Sequence, residues 1–467
     1  MIWLDAIKQS QAIRRKEVSS LELTSEYLER IGRLDPSLRS FVAVDTDRAL
    51  AAAEAADVQV QNHQEEAGLL HGVPISVKDV IDVAGLATTH SSKALVSSIS
   101  RVDDPLVRRF RDAGLVVIGK TNVPEFCTSM TTSELNGICR NPWDLDRTPG
   151  GSSGGAAAAL AAGLCSVSHG TDGAGSVRIP AAFCGLVGMK PTRGLISFGP
   201  ESGPAYFGTS GPGVLTHSVR DAAAMLDIMV GAPQTAPAWS PGAAHSYGAE
   251  SMQTPERLRI AVSTTPPFGT IESECADAAV GIGRLLEGLG HHVQSATPNW
   301  GVILQAAFGP MEVPGASALV GPEDYDLVEP RNRPMIERLA ALTVTEHAQW
   351  VELTRQCSLE FLTFWEDYDV LVSPTSGIVP PLVEWAPWDQ TPDDHMATFA
   401  SFPSFAQPFN LSGQPALSLP LGWSETGLPI GVQLAGRRLS EVMLLQLAAQ
   451  LESAAPWSTK HPPFALQ

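Results

Sequence analysis

The chain reads as an α/β protein built on one large mixed β-sheet with helices covering both faces, and three observations predict it. Short apolar runs of strand length alternate with helical stretches from one end of the sequence to the other. No internal repeat breaks that alternation. Hydrophobic residues make up 44% of the 467 and charged residues only 17%, which supplies a sizeable core and rules out disorder over most of the length. Length alone would suggest about three domains. The unbroken alternation points instead to a single domain over residues 1–467, with a variable segment at about 235–400.

Taken in order, the first sixty residues are helical by pattern. Ser19-Ser20-Leu21-Glu22 is a capping box opening a helix from Leu21 to Ile31, and Asp45 to Ala56 is Ala-rich. Gly72-Val73-Pro74-Ile75-Ser76-Val77-Lys78-Asp79 is a short buried strand ending on two charged residues. A helix with Arg108, Arg109 and Arg111 on one face leads to Gly114-Leu115-Val116-Val117-Ile118-Gly119-Lys120-Thr121. That octapeptide has Walker A spacing, yet its four central residues are themselves a strand, where a phosphate loop needs small residues. A nucleotide site is rejected.

Gly154 to Leu164 is a small-residue helix with Ser153 as its N-cap, and Cys165 to His169 a short strand. Residues 232 to 256, rich in Pro, Ala, Ser and Gly, read as a surface linker. Leu258 to Ser263 is a strand, Ala276 to Leu289 a helix, and the turn at Gly290 leads into another strand. Residues 300 to 400 hold aromatics on irregular scaffolding. Regular pattern returns with Leu417 to Pro420 and Ile430 to Leu434 as strands and Glu441 to Glu452 as the last helix.

A formal net charge of −19 argues against a nucleic-acid groove and against docking on anionic lipid, both of which need a basic patch. Six cysteines without a C-x-x-C pair read as reduced thiols. No signal peptide is expected at Met1-Ile2-Trp3-Leu4-Asp5, and no apolar run reaches membrane-spanning length. These features predict a cytoplasmic protein that leaves the Asn410-Leu411-Ser412 sequon unused. A small-molecule partner is expected, and a homodimer stays open. No H-E-x-x-H and no Cys/His cluster occurs, so neither metal nor cofactor is expected.

The chemistry concentrates in two glycine-dense turns, Gly150-Gly151-Ser152-Ser153-Gly154-Gly155 and Gly170-Thr171-Asp172-Gly173-Ala174-Gly175-Ser176. Glycines let backbone N–H groups converge on one point, and a hydroxyl beside them is what acyl transfer needs: a nucleophile next to an oxyanion hole. A serine also needs a base. The eleven histidines form no recognisable constellation, and His169, His291 and His292 read as strand-end or turn residues. Lys78 is the other candidate, since burial at a strand end would favour its neutral amine. On the residues alone, a plain ion pair with Asp79 is the favoured reading of Lys78.

The stretch from Gly150 to Thr192, ending Phe183-Cys184-Gly185-Leu186-Val187-Gly188-Met189-Lys190-Pro191-Thr192, resembles the signature of the amidase signature family of serine hydrolases. Resemblance continues through Lys120 to Phe126, Arg140 to Asp144, Ser218 to Asp221, Asp369 to Thr375 and Asn410 to Ala416, and is thinnest from 235 to 400. It implies the amidase signature fold and hydrolysis of a linear or cyclic amide. By that resemblance Ser176 is the nucleophile, Lys78 the base, and Ser152, following a cis peptide bond, the bridge between them. The backbone N–H groups of Gly173, Ala174, Gly175 and Ser176 would form the oxyanion hole. Cys127, Ser129 and Met130 would border the acyl site, and Asp172 and Arg178 would support the loop.

Two other readings stand beside this one. The glutaminase subunit of a tRNA-dependent amidotransferase usually carries Thr-Gly-Gly before the nucleophile, where this chain has Gly-Ala-Gly. A catalytically silent binding protein would not need all three catalytic positions intact. Trp300, Phe308, Met311, Trp350, Phe361, Phe364, Trp385 and Trp388 offer material for an apolar pocket wall, which favours an apolar or aryl-bearing amide.

Overall fold

An eleven-stranded mixed sheet runs through the computed structural model, which describes residues 1–197, 208–231, 245–307 and 319–467. The strands are Phe41–Val44 (β1), Pro74–Lys78 (β2), Val116–Thr121 (β3), Val167–Asp172 (β6), Val187–Lys190 (β7), Gly211–Thr216 (β8), Arg259–Val262 (β9), His292–Ser295 (β10), Val370–Pro374 (β11), Ala416–Trp423 (β12) and Pro429–Gly436 (β13). Thr132–Ser133 (β4) and Gly137–Ile138 (β5) form a separate small ribbon. The sheet order is β1-β3-β2-β6-β8-β7-β12-β13-β11-β9-β10. β2 lies parallel to β3 and β6, and β9 parallel to β10 and β11, while the central strands pair antiparallel.

Strand alternation divides the core. Val117 on β3 packs with Ile75, Val77, Phe110 and Leu226 on one face, whereas Val116 and Ile118 meet the helix Gly154–Ala161 on the other. All eight residues of that helix are buried. A helix so poor in side-chain bulk can lie close to its neighbours: a Cβ on Gly155 would sit 2.4 Å from the Asn122 backbone nitrogen.

Several elements outrun or depart from the sequence reading. The capping box is present, but its helix spans Ser20–Leu38, with Pro36 inside. Ser153 holds the N-cap position without capping. Its hydroxyl donates to the Thr171 carbonyl, and the Thr131 hydroxyl accepts the Gly154 N–H instead. The described residues between 300 and 400 hold more regular structure than expected, with helices at Trp300–Leu304, Arg333–Ala340, Val344–Leu362 and Pro392–Ser401. Most of the expected linker at 232–256 lies outside the described residues. Gly114–Thr121 feeds a buried strand, and the Lys120 amine is spent on Asp79 Oδ1 at 2.7 Å, the Ala87 carbonyl and the Thr88 hydroxyl. Among the described residues no helix is long and apolar enough to cross a membrane.

Candidate active site

β2 and β6 are parallel neighbours, so their carboxyl ends, Lys78 and Asp172, fall on the same edge of the sheet, where open α/β sheets hold their ligands. Lys78 is fully buried, and its Nζ donates to Ser152 Oγ at 2.7 Å, to Thr171 Oγ1 at 2.9 Å and to the Thr171 carbonyl at 3.3 Å. Asp79 is not its partner, because that carboxylate is taken by Lys120. Burial pushes the Lys78 amine below its ordinary value, while Cys127 and Asp172 oppose the shift.

Ser152 follows a cis Gly151–Ser152 peptide bond and is 1% exposed. The turn needs its glycine, since a Cβ on Gly151 would lie 2.0 Å from the Ser129 carbonyl oxygen. Ser176 is partly exposed, its carbonyl accepting the Ser153 N–H at 3.0 Å. Ser152, Ser176, Gly173, Ala174, Cys127, Ser129 and Met130 all line one cavity.

Asp172 organises the loop before Ser176. It accepts Arg178 Nε and Nη2 at 2.9 Å each, together with the N–H groups of Gly175 and Val177 and Asn410 Nδ2. Burial by itself would raise the Asp172 carboxyl, but Arg178, Lys190 and Asn410 hold it well below the usual carboxylate range. Arg178, also fully buried, reaches on to the Ala406 carbonyl, Gln433 Oε1 and Asn410 Oδ1. One ion pair thus ties the loop to β13 and to the segment before β12. One of the four N–H groups expected to form an oxyanion hole is engaged within the loop. The Gly175 N–H, at φ 118°, donates to Asp172 Oδ1 at 2.8 Å, which leaves Gly173, Ala174 and Ser176 of the set.

Breaking this pair should be expensive. Arg178→Met leaves a desolvated carboxylate without its paired guanidinium, and a loss of about 3–5 kcal/mol is expected. Urea unfolding measures it, and an unchanged midpoint would show that the loop holds itself.

The apolar wall is built largely from residues other than those expected. Trp300, Trp350 and Phe361 pack into a core cluster with Phe405 and Phe409. Phe308 and Met311 lie outside the described residues. Trp385 does line the cavity, joined by Phe268, Met335, Met396, Phe399 and Phe402. His395, which nothing in its sequence neighbourhood distinguishes, lines it too, and burial lowers its imidazole to about 4. Thr171 was also missed, since a threonine between Gly170 and Asp172 carries no motif of its own. His169 is buried in β6 and pushed down to about 3 by burial, and both its ring nitrogens lack a partner among the described residues. His291 bonds the Leu258 N–H and Gln450, and His292 lies exposed on β10. Among the described residues no three His, Cys, Asp or Glu side chains converge as a metal site would require.

The Amidase family model matches residues 22–445. The chain belongs to the amidase signature family. It is 36% identical to the 6-aminohexanoate-cyclic-dimer hydrolase of Paenarthrobacter ureafaciens, over 99% of this chain and 97% of that protein. It is 34% identical to an acylamidase of Rhodococcus erythropolis, over 98% and 97% of the two chains. A solved structure of 6-aminohexanoate cyclic dimer hydrolase superposes with a TM-score of 0.91 at 34% identity, covering 99% of both chains. The protein is an amidase, and its mixed sheet is that of its family.

Proposed function

We propose that this amidase cleaves its substrate through a serine acyl-enzyme driven by a Ser-Ser-Lys relay. Neutral Lys78 polarises Ser152, Ser152 takes the proton from Ser176, and Ser176 Oγ attacks the amide carbonyl. The oxyanion is met by the N–H groups of Gly173, Ala174 and Ser176. The C–N bond then breaks as the relay returns the proton to the leaving amine, and water removes the acyl group by the same path. The observation that carries this reading is the 2.7 Å bond from a desolvated lysine to Ser152 in a cavity shared with Ser176. The scheme calls for no partner subunit, nucleic acid or cofactor.

For substrate, we infer an apolar or aryl-bearing amide, linear or cyclic. The named relatives are a hydrolase of a cyclic dimer and an acylamidase. Among the described lining residues none is Lys, Arg, Asp or Glu, and much of the wall is aromatic or methionine. Glutamine would bring an α-ammonium and an α-carboxylate into that lining without fixed counter-charges. A medium-chain anilide should therefore exceed glutamine in kcat/KM by about a hundredfold or more. Preference for glutamine, or dependence on an added subunit, would promote the amidotransferase reading.

A further inference from the structure

Arg331 lies in the segment where family resemblance is thinnest, yet it is only 2% exposed. Its charge is permanent, so enclosure is costly unless a partner and hydrogen bonds offset it. Every arm of the guanidinium is used. Nε donates to Glu329 Oε2 at 2.9 Å and Nη2 pairs with the same oxygen at 2.8 Å. Nη2 also donates to the Thr132 carbonyl at 2.8 Å, and Nη1 to the Pro387 carbonyl at 3.3 Å.

Three segments are joined by these bonds, and further ones brace the joint. Glu329 Oε1 accepts the Glu134 N–H at 2.8 Å. Glu125 Oε2 accepts the Glu329 N–H at 2.9 Å and Asn332 Nδ2 at 2.8 Å. Asn332 Oδ1 accepts the Thr128 hydroxyl at 2.8 Å, and the Thr132 hydroxyl donates to the Ala386 carbonyl at 3.0 Å. Burial pushes the Glu329 carboxyl up to about 7; Arg331 opposes that rise and Glu125 adds to it.

Each joined segment carries part of the cavity. Cys127, Ser129 and Met130 flank the Thr128 anchor, Met335 follows Asn332, and Trp385 precedes Pro387. Apolar packing could hold such loops together at lower desolvation cost, but a planar fork with four fixed bonds sets their spacing. We propose that Arg331 is a positioning residue that sets the substrate range of the enzyme, by fixing the gap between the Cys127–Met130 wall and the Trp385 wall. The proposal rests on the reading of this cavity as the acyl site.

The test compares 4-nitroanilides of acetic and hexanoic acid, which share a leaving group and differ only in acyl length. In Arg331→Met the hexanoyl-to-acetyl ratio of kcat/KM should fall about tenfold or more, the loss lying in KM more than in kcat. Arg331→Lys keeps the charge beside Glu329 but not the fork. Its ratio should fall as well, and it decides the matter alone if the Met variant does not fold. An equal loss on both substrates, an unchanged ratio, or a wild-type ratio in the Lys variant would overturn the proposal. Labelling by methanesulfonyl fluoride, followed by intact mass and peptide mapping, separates the two levels. A wild-type enzyme that is not labelled at Ser176 sinks the site reading and the proposal with it. Labelling at Ser176 with an unchanged ratio sinks the positioning role only.

Discussion

Ser176→Ala should fold as the wild type does and lose amide hydrolysis by a factor on the order of 10⁴ or more. The fold should survive because Ser176 is tied to its neighbours through its backbone carbonyl, which still accepts the Ser153 N–H. Asp172 and Arg178, which hold the loop, are untouched by the change. Chemistry should fail because the attacking Oγ is gone, while the lysine–Ser152 pair behind it has nothing to deprotonate. Pre-steady-state kinetics with an activated anilide gives the measurement: wild type should release a burst of aniline matching enzyme concentration, and the variant none. A covalent acyl adduct on the variant, or a residual burst, would assign the attack to another group. Cys127 would then be the first to examine, being the partly exposed cysteine in the cavity while the other five are buried.

What could be read from the chain alone was whatever depends on residues close in sequence. The glycine-dense turns were legible because glycine spacing encodes a backbone path directly, and Lys78 because an apolar run delivers it to a strand end. Of the groups around Lys78, Ser152 was legible through the family resemblance, but the others were not. The lone local candidate, Asp79, is captured by Lys120 from the adjacent strand, and Thr171 comes in from β6. Both partnerships follow from the β2–β3 and β2–β6 pairings, which no local pattern specifies.

The pocket wall failed for the same reason at longer range. Trp300 and Phe361 are as apolar as Trp385 and Phe402, and composition cannot say which side of a helix meets the core. Arg331 carries no local signal, because a charged residue in a variable stretch reads as surface. Only the folded chain brings Thr132 and Pro387 to it, from 199 and 56 residues away. The oxyanion loop shows a finer limit. Counting glycines finds the turn, but whether an N–H is free depends on where the Asp172 carboxylate ends up, and Gly175 is already taken.

The relay itself makes the sharpest remaining prediction. Lys78→Met and Ser152→Ala should each cost roughly 10³-fold or more in kcat, and the double variant little beyond the worse single, because groups acting as one unit are not additive. Independent losses that multiply would contradict a shared path. The pH dependence adds a sign. Burial lowers the folded-state pKa of the Lys78 amine, so the neutral base already forms at lower pH than in an exposed lysine. Activity should therefore rise with pH through that lowered value and level off above it. Lys78→Met should lack this limb altogether. One other buried amine needs a control, since burial and Arg178 push Lys190 down to about 7, and it lies close enough to Asp172 to act on the same loop. Lys190→Gln should keep the limb if Lys78 is the base. A limb that survives in Lys78→Met and vanishes in Lys190→Gln would move the titration to the Asp172–Arg178 cluster. Lys78 would then be left as a hydrogen-bond donor that orients Ser152 without ever taking its proton.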